Sequence, residues 1–402
     1  MPWKETCVMD ERLSFVADWR RLVESGERTI SELCELYEVS RKSGYKLLSR
    51  YRTEGLAGLA ERSRAPHRHP NATDAEIEAA VISMRATHPS WGAKKILPKL
   101  ERRDPDKPWP ALSTISAILD RHGLVKRRRV KRRVMPWPSP LSPCGLPNDV
   151  WGIDFKGWFR TGNGDRCDPL SLSDLASRYV LKLQAVNRPD GAHVWPLVDA
   201  AFREFGLPKV MRPDNGPPFG SAGAGGLSRF AVKLIKAGVT PERIAPGKPQ
   251  QNGRHERLHR TVKDEVASPP AATLRAQQRR FDDFRKVFNE ERPHEALGQV
   301  PPTAVYDSSP RAYRGQSHEP EYPDDHERRR VRSNGEIKWL GTHIFISEAL
   351  VGEPVGLLQL TDGTWQISYA SIDLGTISRN GIFTARRPGA SPRPAPQLQP
   401  PS

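Results

Sequence analysis

Residues 150–186 read VWGIDFKGWFRTGNGDRCDPLSLSDLASRYVLKLQAV. Three β-rich stretches, Val150–Phe159, Pro169–Ser173 and Tyr179–Val186, are separated by turns containing Gly or Ser, which predicts three adjacent strands. A helical pattern from Ala192 to Phe205 follows, then a short strand at Lys209–Arg212 and a further helix within Leu227–Ala237. Neighbouring strands followed by alternating helices and strands predict a mixed sheet covered by helices. Strand ends in such a sheet can aim side chains into one crevice.

Three acids occupy positions suited to that crevice. Asp154 ends the run Trp151-Gly152-Ile153-Asp154-Phe155, and Asp214 follows Val210-Met211-Arg212-Pro213, where a strand gives way to the turn Asp214-Asn215-Gly216. Glu256 lies in the first turns of a helix whose buried stripe is Leu258, Val262 and Val266, and at ~100° per residue it falls away from the stripe's centre. Asn252, Glu256, Arg260 and Lys263 share a neighbouring face, so polar and basic groups that can touch phosphates flank the acid. Each acid also has an ordinary reading, as a strand-end solvent residue, a turn residue or half of an exposed ion pair. The combination is harder to explain that way. Three hard oxygen donors with no histidine or thiolate partner suit Mg²⁺ or Mn²⁺ rather than zinc. Three carboxylates can hold two such ions ~3.5–4 Å apart, the arrangement for in-line phosphoryl transfer.

At 402 residues the chain exceeds one ordinary core. No apolar run approaches the ~20 residues of a spanning helix, and MPWKETCVMDER lacks a signal-peptide core. No membrane segment is expected, and the expected location is the cytoplasm, or the nucleus if the host has one. Lys and Arg total 63 against 47 Asp and Glu, a balance that favours a polyanionic partner. The excess peaks at Lys126, Arg127, Arg128, Arg129, Lys131, Arg132 and Arg133, a cluster suited to DNA phosphates and to steeply salt-dependent binding. A solvated tether or a localisation signal would read the same way. Cys7, Cys34, Cys144 and Cys167 are scattered, with no Cys-x-x-Cys pair, so neither a disulfide framework nor a structural zinc is indicated.

The first 125 residues read as two consecutive three-helix units. Phe15, Trp19, Leu22 and Val23 form one stripe, Ile30, Leu33, Cys34 and Tyr37 a second behind the cap Thr29, and Tyr45, Leu48 and Tyr51 a third behind the cap Ser40. The third helix shows Arg41, Lys42, Ser43, Lys46 and Arg50 on its other side, as a helix-turn-helix needs on the helix that enters the major groove. A small helical bundle with a charged surface would look similar. Ile77, Val81 and Met84, then Trp91, Ile96, Leu97 and Leu100, then Leu112, Ile115 and Leu119 mark the second unit. The Pro-rich stretch Met135–Pro147 follows the basic run and predicts an extended spacer.

Beyond the core, Phe281–Asn289 is expected to be helical, and Ser308–Asp325 is polar and rich in Pro and Gly. Short β-like runs follow, with turns at Asn334-Gly335, Asp362-Gly363 and Asn380-Gly381, and they predict a small barrel. The Pro- and Arg-rich tail is expected to be disordered.

Three motifs carry a family resemblance: Trp151-Gly152-Ile153-Asp154-Phe155-Lys156-Gly157, Arg212-Pro213-Asp214-Asn215-Gly216-Pro217-Pro218-Phe219, and Pro246-Gly247-Lys248-Pro249-Gln250-Gln251-Asn252-Gly253-Arg254-His255-Glu256-Arg257. With Phe288-Asn289-Glu290-Glu291-Arg292-Pro293-His294-Glu295-Ala296-Leu297 beyond them, the chain resembles a DDE transposase of the insertion-sequence kind, with a retroviral-integrase-like core. The resemblance implies an RNase H-like fold and two divalent ions held by Asp154, Asp214 and Glu256. It implies nicking at element ends, then attack of the freed 3′-hydroxyl on target DNA. Double-stranded DNA is the expected partner, in a homo-oligomeric complex, within the nucleoid of a prokaryotic host. Residues 215–255 separate Asp214 from Glu256, longer than is usual in the family, and Phe219–Gly226 is where the excess is expected.

The expected architecture is therefore multidomain. It comprises all-α helix-turn-helix units at 8–60 and 72–125, a basic and Pro-rich linker at 126–149 and an α/β RNase H-like core at 150–306. A linker at 307–332, a small β-barrel at 333–385 and a tail at 386–402 complete it. Two other functions fit the same residues: a sequence-specific DNA-binding regulator with a transposase-derived fold, and a nuclease without joining activity.

Overall fold

The computed structural model describes residues 7–62, 72–125, 141–244, 251 and 253–386. The basic run 126–133, Asn252 and the tail from 387 lie outside the described residues. The chain divides into two compact units, Met1–Ala72 and Thr73–Ser402.

In the first unit, helices α1 (Val8–Asp18), α2 (Ile30–Leu36) and α3 (Arg41–Glu54) enclose Phe15, Val16, Trp19, Leu33, Cys34 and Leu48. Thr29 and Glu32 form a reciprocal capping box at the start of α2, and Ser40 accepts from the Ser43 N–H at the start of α3. The two caps fix where each helix begins. Helices α2 and α3 meet at Gly44, where a Cβ would lie 2.6 Å from the Cys34 sulfur. The buried stripe of α3 is consequently Gly44 and Leu48, with Tyr51 partly buried, and Tyr45 is exposed rather than turned toward the other helices.

The second unit begins with α4 (Ala75–Thr87), α5 (Ala93–Arg103) and α6 (Leu112–Arg121) around Val81, Trp91, Ile96, Leu100, Ile115 and Leu119. Leu112, in the first turn of α6, is exposed. The basic residues of α5 bind the end of the core: Lys95 Nζ donates to the Pro293 carbonyl at 2.6 Å, Lys99 pairs with Glu291 at 3.0 Å, and Arg102 donates to the Gln299 carbonyl at 2.7 Å.

The core is a mixed sheet. Strands β1 (Val150–Phe155), β3 (Arg166–Asp174) and β4 (Val180–Val186) are antiparallel neighbours, with the short β2 (Phe159–Arg160) folded against the start of β3. On the other side of β1, β5 (Val210–Pro213) and β6 (Thr240–Pro241) run parallel. Helix α7 (Gly191–Phe205) and α8 (Arg229–Lys236) cover one face through Val194, Val198, Phe202, Phe230 and Leu234. Helices α9 (Gly253–Val262) and α10 (Leu274–Glu290) cover the other through Leu258, Val262, Phe281, Phe284 and Phe288. Two layers of helix thus bury both faces of the sheet.

The segment expected as a linker is packed. Ser309 N–H donates to the Phe205 carbonyl, Tyr313 is buried beside Phe202, and the Tyr322 hydroxyl donates to the Pro354 carbonyl. Its last residues form β7 (His326–Arg330), which pairs with β10 (Pro354–Gln359).

The carboxy-terminal strands do not close into a barrel. Strands β7, β10, β11 (Trp365–Tyr369), β12 (Ile372–Ile377) and β13 (Phe383–Ala385) form an open antiparallel sheet, while β8 (Glu336–Trp339) and β9 (Thr342–Phe345) pair with each other. The physical reason lies in the core. Ala224, Leu227, Ala231 and Val232, from the Gly-rich loop and α8, share one buried cluster with Ile337, Leu357, Ile367 and Leu374. The apolar face is covered by the core and has no need to close on itself.

The loop's backbone makes that contact. Gly225 has φ of +62°, its N–H donates to the Arg386 carbonyl, and a Cβ there would meet the Asp373 carbonyl at 3.0 Å and Leu374 at 3.1 Å. Replacing Gly225 by Val combines left-handed strain with overpacking, and unfolding by urea should show a loss of about 2 kcal/mol or more.

Candidate active site

Register decides the geometry at the sheet's edge. In the parallel pair β1/β5, Ile153 is opposite Pro213, so Asp154 and Asp214 stand next in line on adjoining strands. Neighbouring strands lie about 4.8 Å apart. Two acidic residues from distant sequence are therefore brought to adjoining strand ends.

Asp214 is held in a tight turn. Gly216 lies against its carboxylate, where a Cβ would come within 3.2 Å of Oδ2. Asn215 donates to the Ile244 carbonyl at 2.9 Å and accepts from Arg243 at 3.1 Å, and Arg243 also bonds the Ser221 and Gly226 carbonyls. One guanidinium thus ties the Asp-Asn-Gly turn to the Gly-rich loop. The Asp214 Oδ1 atom is buried with no hydrogen-bond partner among the described residues. Burial raises its carboxyl above the ordinary range, against the lowering effect of the Gly216 N–H and of Arg243.

Helix α9 reaches the sheet through histidines that sequence reasoning passed over. His255 is 1% exposed and lies on Gly152, where a Cβ would come 2.6 Å from its Nδ1, and its Nε2 is 3.4 Å from the Ser171 carbonyl. One turn on, His259 Nε2 is 2.7 Å from Ser171 Oγ, and its Nδ1 is 3.9 Å from Asp154 Oδ2. Burial pushes His255 down to about 4 and His259 down to about 3, so both rings are neutral and the His259–Asp154 approach is not an ion pair. The spacing His255, Leu258, His259, Val262 is helical, and it was the available signal.

Glu256, Arg260 and Lys263 lie on the exposed side of this helical segment. Lys263 is close enough to Lys156 to depress it further, after burial. Among the described residues no three His, Cys, Asp or Glu side chains cluster tightly enough to hold an ion, so Asp154, Asp214 and Glu256 are not gathered into one tight group. The donor chemistry nevertheless fits a hard divalent cation: an orphaned, buried carboxylate oxygen on Asp214, which stands next in line to a second acid across the β1/β5 pair. In the amino-terminal unit, Arg41, Lys42, Ser43 and Lys46 are exposed on α3 and Arg50 partly so.

Comparison with known proteins places this arrangement. Residues 146–249 and 237–302 each match an integrase core domain model, residues 18–67 a helix-turn-helix domain and residues 43–119 a homeodomain-like domain. Residues 146–302 are thus similar to integrase core domains. An uncharacterized 39.2 kDa protein of insertion element IS476 from Xanthomonas euvesicatoria is 29% identical over 260 residues, which span 63% of this chain and 71% of that protein. A 31.7 kDa protein of insertion element IS407 from Burkholderia multivorans is 33% identical over 180 residues, 44% of this chain and 62% of that protein. A chain of the simian T-cell lymphotropic virus intasome, solved with PP2A regulatory subunit B56 gamma, is 16% identical with a TM-score of 0.36, covering 73% of this chain and 97% of its own. The helix-turn-helix and homeodomain-like matches thus precede the integrase core matches along the chain. Among the described residues, no helix is long and apolar enough to cross a membrane.

Two outcomes follow for the core. Gly152→Ala should lower thermal stability by about 1–3 kcal/mol, because the methyl group displaces His255 and with it α9. The buried histidines set a pH dependence. Their folded pKa values lie below the unfolded value of 6.5, so the unfolded chain binds more protons as pH falls. Stability is fully present above pH 6.5 and is lost on acidification, by roughly 3 kcal/mol for His255 between pH 7 and 4. Urea titrations of the wild type and His255→Asn, whose dependence should be shallower, check this.

Proposed function

We propose that the protein is a DNA transposase that binds element ends through its amino-terminal helices and cuts and joins DNA strands at Asp154, Asp214 and Glu256. The observation that carries this reading is the β1/β5 register, which stands Asp154 beside Asp214 while one Asp214 oxygen is buried with no protein partner. Asp154, Asp214 and Glu256 would hold Mg²⁺ or Mn²⁺. Two such ions, when bound, supply activation of an attacking oxygen and charge stabilisation at the leaving oxygen of a phosphodiester.

The chain's own residues do the rest. Arg243 fixes the turn that presents Asp214, and Gly152 with His255 seats the helix that carries Glu256. Neutral His259 stands beside Asp154 without competing for it as a cation. Arg260 and Lys263, exposed along the same segment as Glu256, are placed to hold DNA phosphates. Arg41, Lys42, Ser43, Lys46 and Arg50 present a basic helix face of the kind that enters a major groove. Homo-oligomeric assembly on paired ends follows from the need to hold two ends together, and an insertion-element role places the protein on the nucleoid of a prokaryotic cytoplasm.

The test is insertion of a pre-cut 3′-hydroxyl end into a plasmid with Mg²⁺ present. Asp154→Asn, Asp214→Asn and Glu256→Gln should each lower insertion by at least about a hundredfold while leaving end binding intact. Insertion that survives all three changes refutes the assignment. A wild type that binds ends but neither nicks nor joins would be a regulator, and one that nicks without joining would be a nuclease.

A further inference from the structure

A cavity of about 250 Å³ lies beside the start of β1, at the opposite end of that strand from Asp154. Four chain segments build it, and each brings positive charge. Lys95 comes from α5, Arg178 from the β3–β4 turn, Arg254 and Arg257 from successive turns of α9, and Arg292 and His294 from the segment after α10.

The nearby carboxylates are already engaged. Asp174 accepts from the Asn148 N–H at 2.7 Å and from the Ser177 N–H and hydroxyl at 2.7 and 2.6 Å. Glu295 pairs with Lys94 at 3.1 Å, and Glu265 pairs with Arg292 at 2.6 Å. Among the described residues Arg178, Arg254 and Arg257 form no ion pair. Arg178 and Arg254 instead donate to the same carbonyl, that of Leu175, at 3.0 and 2.6 Å. Three guanidiniums, those of Arg178, Arg254 and Arg257, are thus gathered around one partly open space without ion pairs among the described residues, while Arg292 keeps Glu265. The gathering leaves a mark: burial, then Arg254 and Arg257, hold the Arg178 guanidinium down to about 10, and burial with Arg292 holds Lys95 down to about 8. His294 Nε2 is buried there without a hydrogen-bond partner among the described residues.

We propose that this cavity is a phosphate site, occupied by a backbone phosphodiester of the DNA that the protein holds. Guanidinium forks match tetrahedral phosphate oxygens in pairs, and the polar lining offers donors with few available acceptors. The choice of DNA over a free phosphate rests on the reading of the chain as a DNA-handling protein, though not on strand cleavage. One wall belongs to α5, within the region matching a homeodomain-like domain, so a strand bound here is held jointly by that helical unit and the core.

The experiment uses the full chain in metal-free buffer, where catalysis is silent. Arg257 is exposed, so Arg257→Gln is expected to fold; circular dichroism checks this, and Arg178→Gln is measured in parallel. Fluorescence anisotropy should show duplex binding weakened about tenfold for every sequence, with the slope of log K against log salt shallower by about one. Arg257→Lys should restore part of the loss. Inorganic pyrophosphate should raise the melting temperature of the wild type but not of Arg257→Gln. If pyrophosphate acts and duplex binding is unchanged, the site is confirmed for a free phosphate and the DNA assignment is overturned. If neither probe separates folded Arg257→Gln from wild type, the proposal fails, whatever the Asp154→Asn insertion assay has said about catalysis.

Discussion

The close seating of α9 on the sheet at Gly152 is the contact on which the central arrangement depends. A bare Cα at that position lets a histidine ring lie directly on β1, and any side chain would occupy the same space. Through that one approach the helix takes its height above the strand ends. His255 and His259 face the sheet, Glu256, Arg260 and Lys263 face outward, and Arg254 and Arg257 are turned toward the basic cavity. The three faces of α9 and the helical turn that continues it therefore serve three purposes, and each depends on how closely the helix lies against the sheet.

Burial of neutral histidines is an uncommon way to pack such a contact. An apolar residue would serve the packing, but a histidine also meets the Ser171 carbonyl and hydroxyl, polar groups that the sheet leaves pointing at the helix. The Ser171 hydroxyl also donates to the Asp154 carbonyl at 3.3 Å, and a buried polar group left wholly without a partner costs about 1–3 kcal/mol. Asp214 shows the converse, a buried oxygen for which the protein supplies no donor. Beneath the helix His255 Nδ1 is likewise buried without a partner among the described residues, and at the strand's end a carboxylate oxygen is left over.

Much of this was legible in the sequence. Apart from the short β2, which the expected strand Val150–Phe159 merged with β1, strand and helix order through residue 237 followed from periodicity, because both faces of the sheet are buried and the apolar pattern is strong. The positions of Asp154 and Asp214 followed from where apolar runs ended. Register was not legible: the pairing of Ile153 with Pro213 depends on β1 and β5 meeting across a crossover helix. Tyr45 and Leu112 were read as buried from spacing alone, since nothing in the sequence says that Gly44 is the contact with α2. His255 was missed because histidine is polar in composition yet packs as a flat apolar ring here. The barrel was expected because five short runs suggest closure, while the covering face came from a helix and loop more than a hundred residues away.

That borrowed cover has a consequence for how the molecule can be divided. The carboxy-terminal sheet and α8 contribute to a single buried cluster, so neither owns a complete apolar core. The Gly-rich loop in that cluster is also tied by Arg243 to the turn bearing Asp214. The two regions are thus one cooperative folding unit despite their different architectures. A boundary drawn by sequence composition near residue 307 would cut through a shared interior, and an excised core would expose the loop and helix surface that the sheet normally keeps dry.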